Sequence, residues 1–275
     1  MPGTPAALPV ALAAALPAFA ELAAPPVWRT VDFISDLHLE ASTPATFMAW
    51  RRYMETTPAD AVFILGDLFE VWVGDDVAKP TLASRHDGLG FEDRCARVMG
   101  FAATRCAVYF MRGNRDFLVG EPYLALARTT LLADPTVLSF AGQRWLLTHG
   151  DALCLDDTDY MAFRAQVRSE AWQNAFLTRP LTERKAIART LRDASEARKR
   201  AGTVYADVDT PAVLAWLTAA NAGCMVHGHT HRPADHALDG DHQRTVLSDW
   251  DLEARPPRAE VLRLDASGLH RLPLA

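Results

Sequence analysis

Seven candidate metal ligands fall in five short blocks, and each block begins where an apolar run has just ended. The first run ends in Asp36-Leu37-His38 and the second in Gly66-Asp67. Gly113-Asn114-Arg115-Asp116, His149-Gly150-Asp151 and Gly228-His229-Thr230-His231 follow in that order. A single Gly-Asp pair is an ordinary turn signal. Five blocks with a carboxylate, amide or imidazole in each are poorly explained as turns, because the carboxyl ends of strands in open α/β sheets are where ligands gather. Oxygen and imidazole donors without thiolate suit Mn, Fe or Zn and leave coordination positions open to water. The candidate ligands are Asp36, His38, Asp67, Asn114, His149, His229 and His231. His227 also stands in the last block, but its position reads as the end of a strand rather than as a ligand.

The order and spacing resemble the calcineurin-like metallophosphoesterases, whose pattern is D-x-H, GD, GNH(D/E), H and GHxH. The resemblance implies two metals. Asp36, His38, Asp67 and His231 would hold one, and Asp67, Asn114, His149 and His229 the other, with Asp67 as the bridge. Metal pairs of this kind clamp the attacking and leaving oxygens of a phosphoryl displacement. Two divalent ions with two aspartates leave net positive charge, which attracts an anionic phosphate. Asp67, Asn114 and Arg115 are the candidate catalytic residues. Arg115 stands where most of that family carries a histidine credited with helping an alkoxide depart. Arginine keeps its proton at working pH, so it is no general acid. It can hold a phosphate oxygen through paired N–H groups. A site without that acid favours a leaving group needing no protonation, such as the phosphate monoester expelled when a diphosphate is cleaved.

A narrower resemblance follows from ISDLHL (34–39), GDLFEVWVGDD (66–76), MRGNRDFL (111–118), HGDALCLDD (149–157) and HGHTHRP (227–233). These are similar to the UDP-2,3-diacylglucosamine pyrophosphatase family of bacterial lipid A biosynthesis, from about residue 31 to 250. That likeness implies manganese-dependent hydrolysis of UDP-2,3-diacylglucosamine, with water attacking the phosphorus nearest uridine. UMP and 2,3-diacylglucosamine 1-phosphate would be the products. It implies two Mn²⁺ per chain, peripheral attachment to the cytoplasmic face of the inner membrane, and no obligate protein partner. It places substrate contacts at Asn114, Arg115, Asp157, Ser195 and His229. Two further cap contacts fall near Lys199 and Arg200, where the spacing departs from the family's.

These blocks need a scaffold of strands and helices to bring them together. The chain has 275 residues, 49% hydrophobic and 23% charged, enough for one enzyme-sized domain with an insertion. Its net charge of -6 argues against a general nucleic-acid binder. Four cysteines without a C-x-x-C pair form neither a disulfide framework nor a zinc ribbon. Strands are predicted at 30–35, 61–65, 106–111, 137–140, 144–148 and 224–227, and helices at 44–57, at 92–104 and from Thr210-Pro211 onward. From about residue 244 the chain alternates like antiparallel strands, turning at Ala266-Ser267-Gly268. This pattern points to an α/β sandwich of two sheets flanked by helices, and the resemblance implies its four-layer α/β/β/α metallophosphoesterase form with an inserted helical cap.

The cap is expected over 156–208 within a domain of 29–275, as two helical patterns separated near Pro180. Its second pattern is basic: eight Lys/Arg against three Asp/Glu over 179–200. Such a face, Arg184 and Lys185 included, is expected to meet anionic lipid. Tyr160, Phe163, Trp172 and Phe176 either line an apolar groove for two acyl chains or pack the cap on its core. Residues 1–28, rich in Ala and Pro, read as a disordered leader rather than a secretory signal, since no Lys or Arg precedes the apolar run. Rival readings are a nucleotide phosphodiesterase or dinucleoside polyphosphate hydrolase of the same fold, and a scaffold that has lost catalysis.

Overall fold

The computed structural model describes residues 16–78, 90–200 and 206–275, without the side chains of 193–200. The strands are β1 Ala20–Ala23, β2 Val31–Ile34, β3 Ala61–Leu65, β4 Ala107–Met111, β5 Thr130–Leu132, β6 Thr136–Phe140, β7 Gln143–Thr148, β8 Cys224–His227, β9 Ala234–Ala237, β10 Gln243–Val246, β11 Glu260–Asp265 and β12 Gly268–Pro273. The described helices are α1 Pro44–Thr56, α2 Phe91–Ala102, α3 Glu121–Leu126, α4 Thr158–Val167, α5 Glu170–Leu177, α6 Leu181–Arg200 and α7 Thr210–Ala220.

Two six-stranded sheets result, ordered β12-β11-β2-β3-β4-β5 and β1-β6-β7-β8-β10-β9. β2, β3, β4 and β5 run parallel, and β7, β8 and β10 do so in the second sheet. In β2 and β3 every residue is buried, because both faces of the strand are covered. Phe33, Phe63 and Leu65 turn one way to meet Leu138, Leu147 and Val226 between the sheets. Ile34, Val62 and Ile64 turn the other way to join Trp50 of α1 and Met99 of α2. Beyond the second sheet, Val137, Leu146 and Met225 pack on Val213, Trp216 and Leu217 of α7. Helix, sheet, sheet, helix is the expected four-layer order. Burial on both faces excludes water from the central strands of the two sheets.

Local chemistry explains the boundaries. Proline occupies the first turn of α1, α3 and α7, where its missing N–H costs no hydrogen bond. The Asp209 side chain caps α7 by accepting from Ala212 N. Asp32 is fully buried in β2, yet Arg263 donates to it at 2.7 and 2.8 Å and Tyr53 and Thr57 at 2.9 and 2.8 Å. That pairing makes a charge tolerable in a core strand.

Two expectations need correction. Residues 16–28, placed within the leader, are ordered into the domain: Ala20–Ala23 pair in parallel with Thr136–Ser139. Phe19 meets Trp216 edge-on, and Trp28 packs against Phe63. Residues 1–15 lie outside the described residues. The first helical pattern of the cap is two helices, not one. It breaks at Arg168, and Ser169 then caps α5 by accepting from Trp172 N.

Candidate metal centre

All seven candidate ligands sit on loops leaving the carboxyl ends of β2, β3, β4, β7 and β8. Asp36, His38, Asp67, His229 and His231 have φ between 47 and 68°, a region that costs a residue with a side chain on the order of 1–3 kcal/mol. The loops bear this strain at the five positions whose donors it turns inward. They also pass unusually close to one another. A methyl group at Gly113 would collide with the Asp67 carboxylate, and one at Gly228 with Asp36 and Ser35.

The donors converge in two groups. In the first, His38 Nε2 lies 3.3 Å from His231 Nε2, and His231 Nε2 lies 3.4 Å from Asp36 Oδ1. In the second, the Asn114 side-chain oxygen lies 3.0 Å from His149 Nε2 and 2.8 Å from His229 Nδ1. Asp67 touches both: Oδ2 is 3.9 Å from His38 Nε2, and Oδ1 is 3.8 Å from His149 Nε2. Asp36, His38 and His231, and likewise Asp36, Asp67 and His149, each present ligand atoms within 4.8 Å of one another.

The donor set fits divalent cations. Asp36 Oδ1 is buried with no hydrogen-bond partner, an expensive arrangement unless a cation meets it. His149 donates from Nδ1 to the Leu65 carbonyl at 2.9 Å, so the Nε2 of the neutral ring offers a lone pair to the site. His38 Nδ1 faces Glu70 Oε2 at 2.9 Å. His231 Nδ1 is 3.8 Å from Asp249, which Arg258 holds at 2.7 Å. Burial pushes the Asp36 carboxyl up, but His231, His149 and His38 overcome it and hold the group well below the usual carboxylate range. Burial disfavours the charged form of His149, yet the surrounding Asp67, Asp151 and Asp36 raise it to about 9. His229 is pushed down to about 4 by burial and by its neighbour His149. The negative field that holds a proton on His149 equally favours a cation.

Several residues with no assigned role in the sequence support this centre. Asp116 is fully buried and accepts from the backbone N–H groups of Gly113, Leu68 and Phe69, fastening the second block to the third. Burial and the nearby Asp67 push its carboxyl up to about 7. Asp151, also fully buried, accepts from the Tyr160 hydroxyl at 2.6 Å and from Arg164 at 2.8 Å. The Tyr160 ring in turn lies beside that of His229, with centroids 5.9 Å apart and planes 29° from parallel. The only sequence signal for Asp116 and Asp151 was their place, two residues past a ligand.

A cavity of about 830 Å³ opens beside the centre. His38, Asp67, Asn114, Arg115 and His229 form one wall, and Trp72, Leu118, Phe163, Trp172 and Phe176 another. The cap aromatics divide between packing on the core and lining this cavity. Phe176 is buried and stacks on Trp172 at 4.7 Å, while Phe163 remains 36% exposed at the wall. Asp157 lines the cavity and caps α4 by accepting from Tyr160 N at 3.0 Å. Arg115 lines the cavity too, and its backbone N–H donates to Asp67 Oδ1 at 2.8 Å. Ser195, Lys199 and Arg200 lie on α6, their side chains outside the described residues. Asp75 and Asp76 order their loop: Asp75 accepts from Gly120 N and Tyr123 N, and Asp76 pairs with Arg184. That pairing corrects the reading of Arg184 as a lipid-facing charge, because the residue is 3% exposed. His227 is fully buried in β8, with Nδ1 at 2.8 Å from the Gly228 carbonyl.

Fold and site together define a phosphoesterase. Residues 29–233 match the calcineurin-like phosphoesterase family, and the chain belongs to it. Within that family, its relatives carry a narrower name. The UDP-2,3-diacylglucosamine hydrolase of Chromobacterium violaceum is 45% identical, over 89% of this chain and 98% of its own. Those of Stenotrophomonas maltophilia and Ralstonia nicotianae are 42% and 43% identical, over 87% and 85% of this chain and 96% and 88% of theirs.

Proposed function

We propose that this chain hydrolyses the diphosphate bond of UDP-2,3-diacylglucosamine, releasing UMP and 2,3-diacylglucosamine 1-phosphate. One observation carries the reading: a single cavity joins a wall of metal-capable donors to a wall of aromatic and aliphatic side chains. A polar diphosphate and two acyl chains need that pair of surfaces side by side.

Asp36, His38, Asp67 and His231 would hold one divalent ion, and Asp67, Asn114, His149 and His229 a second, with manganese the metal proposed. Bound there, two such ions acidify a water and neutralise phosphate charge. The protein's own groups orient the substrate. Asn114, Arg115 and His229 border the phosphates, and Arg115 grips an oxygen without surrendering a proton. Water then attacks the phosphorus nearest uridine, and the departing 1-phosphate leaves as an anion needing no general acid. Asp157 and, on α6, Ser195, Lys199 and Arg200 contact the remainder of the substrate. The cap, taken as 156–208, encloses the acyl chains.

No helix among the described residues is long and apolar enough to cross a membrane. We place the protein on the cytoplasmic face of the inner membrane, held peripherally by exposed cations of α6 such as Lys185 and Arg189. The test is UMP release from UDP-2,3-diacylglucosamine with added Mn²⁺, compared with UDP-glucose. Equal turnover of both substrates refutes a role for the apolar wall.

A further inference from the structure

Glu70 has no part in the chemistry above, yet it stands where three parts of the site meet. Its Oε2 is 2.9 Å from Nδ1 of His38, on the first block. Its Oε1 is 3.2 Å from Nε of Arg192, on cap helix α6, and 3.6 Å from Nη1 of Arg115, on the third block. The Glu70 side chain is 12% exposed and borders the cavity. Arg192 reaches a second carboxylate, donating from Nη1 to Glu40 Oε2 at 3.0 Å, and Glu40 lies two residues beyond His38.

We propose that Glu70 is a positioning residue that couples the seating of cap helix α6 to the orientation of His38. The carboxylate has two oxygens and both are engaged. The oxygen on His38 fixes the ring so that Nε2 points at Asp36 and Asp67, the outer-partner arrangement that orients ligating histidines. The other oxygen ties Arg192, and with it α6, to the same carboxylate. A cation held by His38 therefore draws Glu70 into one rotamer, and that rotamer presents a fixed acceptor to Arg192. An ordinary surface ion pair would do little, but this carboxylate is largely covered and is shared among three elements. Aspartate would be one methylene too short to reach His38 and α6 together. Glutamine has the reach and an oxygen for His38, but its amide nitrogen repels the arginines.

The inference leans on the proposed metal ligands but not on the substrate, and its test uses Mn²⁺ alone. The full chain is stripped of metal and titrated with Mn²⁺. Glu70→Ala should weaken one of two bound Mn²⁺ by roughly 10- to 100-fold and spare the other. Glu70→Gln should keep both within about threefold, since an oxygen still meets His38. Backbone hydrogen exchange over α6 supplies the readout that a merely structural glutamate would not move. In the wild type, Mn²⁺ should slow that exchange about two- to fivefold. In Glu70→Gln and in Arg192→Ala, Mn²⁺ should leave it unchanged. Exchange in α6 that ignores Mn²⁺ in the wild type, or wild-type Mn²⁺ affinity at both positions in Glu70→Ala, overturns the inference. Neither readout involves UDP-2,3-diacylglucosamine, so a protein that couples metal to α6 but fails to release UMP sinks the proposed function and leaves this coupling standing.

Discussion

Arg184 donates from Nη1 to Asp76 Oδ1 at 2.9 Å, joining α6 of the cap to the loop that follows Asp67. The same guanidinium also donates to the Val73 and Arg179 carbonyls. Cap and centre are thus joined through a buried cation rather than by apolar packing alone. Arg184→Ala should cost about 3 kcal/mol of stability, the lower end for breaking a buried pair. Lys185→Ala, one residue along on an exposed position, should change it by under about 0.5 kcal/mol. Urea unfolding of the three proteins decides, and equal midpoints would show that the tie contributes nothing.

Asp67 lies between the two donor groups, with one carboxylate oxygen facing His38 and the other facing His149. Asp67→Ala should therefore reduce the affinity for both metals and lower turnover more than His38→Ala, which touches one group. The difference should reach roughly 100-fold, given the cost of losing even an outer partner of a metal site. Metal content and UMP release measured on the same preparations check this. Equal residual activity in the two variants argues against a bridging position.

Arg115→Ala should retain its metals and lose about 10- to 150-fold in kcat/KM, the worth of a charge-assisted contact of about 1.5–3 kcal/mol made in the transition state. Arg115→His restores a possible acid and should raise phosphodiester hydrolysis relative to diphosphate hydrolysis. If both variants keep wild-type diphosphate activity, the link from Arg115 to substrate class is wrong.

Reversing the exposed Lys185 and Arg189 to Glu should weaken binding to anionic vesicles while leaving metal content intact. Each cation near such a surface contributes roughly 1 kcal/mol, screened over about 10 Å at 0.1 M salt. Vesicle binding that ignores both salt and the substitutions would place the contact elsewhere.

His227 gives a pH signature. Burial pushes its imidazole down to about 4, so the folded state keeps it neutral while the unfolded chain binds a proton near pH 6.5. Its contribution is fully present above that value and is lost as pH falls from 6.5 towards 4. Between pH 7 and 5 the loss should be on the order of 2 kcal/mol. His227→Asn should flatten this part of the profile relative to wild type in urea titrations at both pH values. Parallel profiles would mean that His227 is not the group responsible.

What could be read along the chain was whatever short-range pattern enforces. β3 and β8 lie where runs of branched and aromatic residues placed them, because a strand buried on both faces must be apolar throughout. The five blocks were legible for a related reason: each follows such a run directly, and the strand's end determines where its donors emerge. Weakly patterned pieces were not legible. The three residues of β5 and the four of β9 are too short to show a period, and Ala20–Ala23 becomes a strand only because Thr136–Ser139 offers a partner. Among charged residues the limit was sharper still. Arg184, Arg192 and Lys185 are alike in sequence, all cations on one basic helix. One is buried on Asp76, one meets Glu40 and Glu70, and one faces solvent. Residue type determined that these side chains carry charge. Only the tertiary structure decided which charges find partners, because the carboxylates concerned lie more than a hundred residues away along the chain and come near through the packing of cap on sheet.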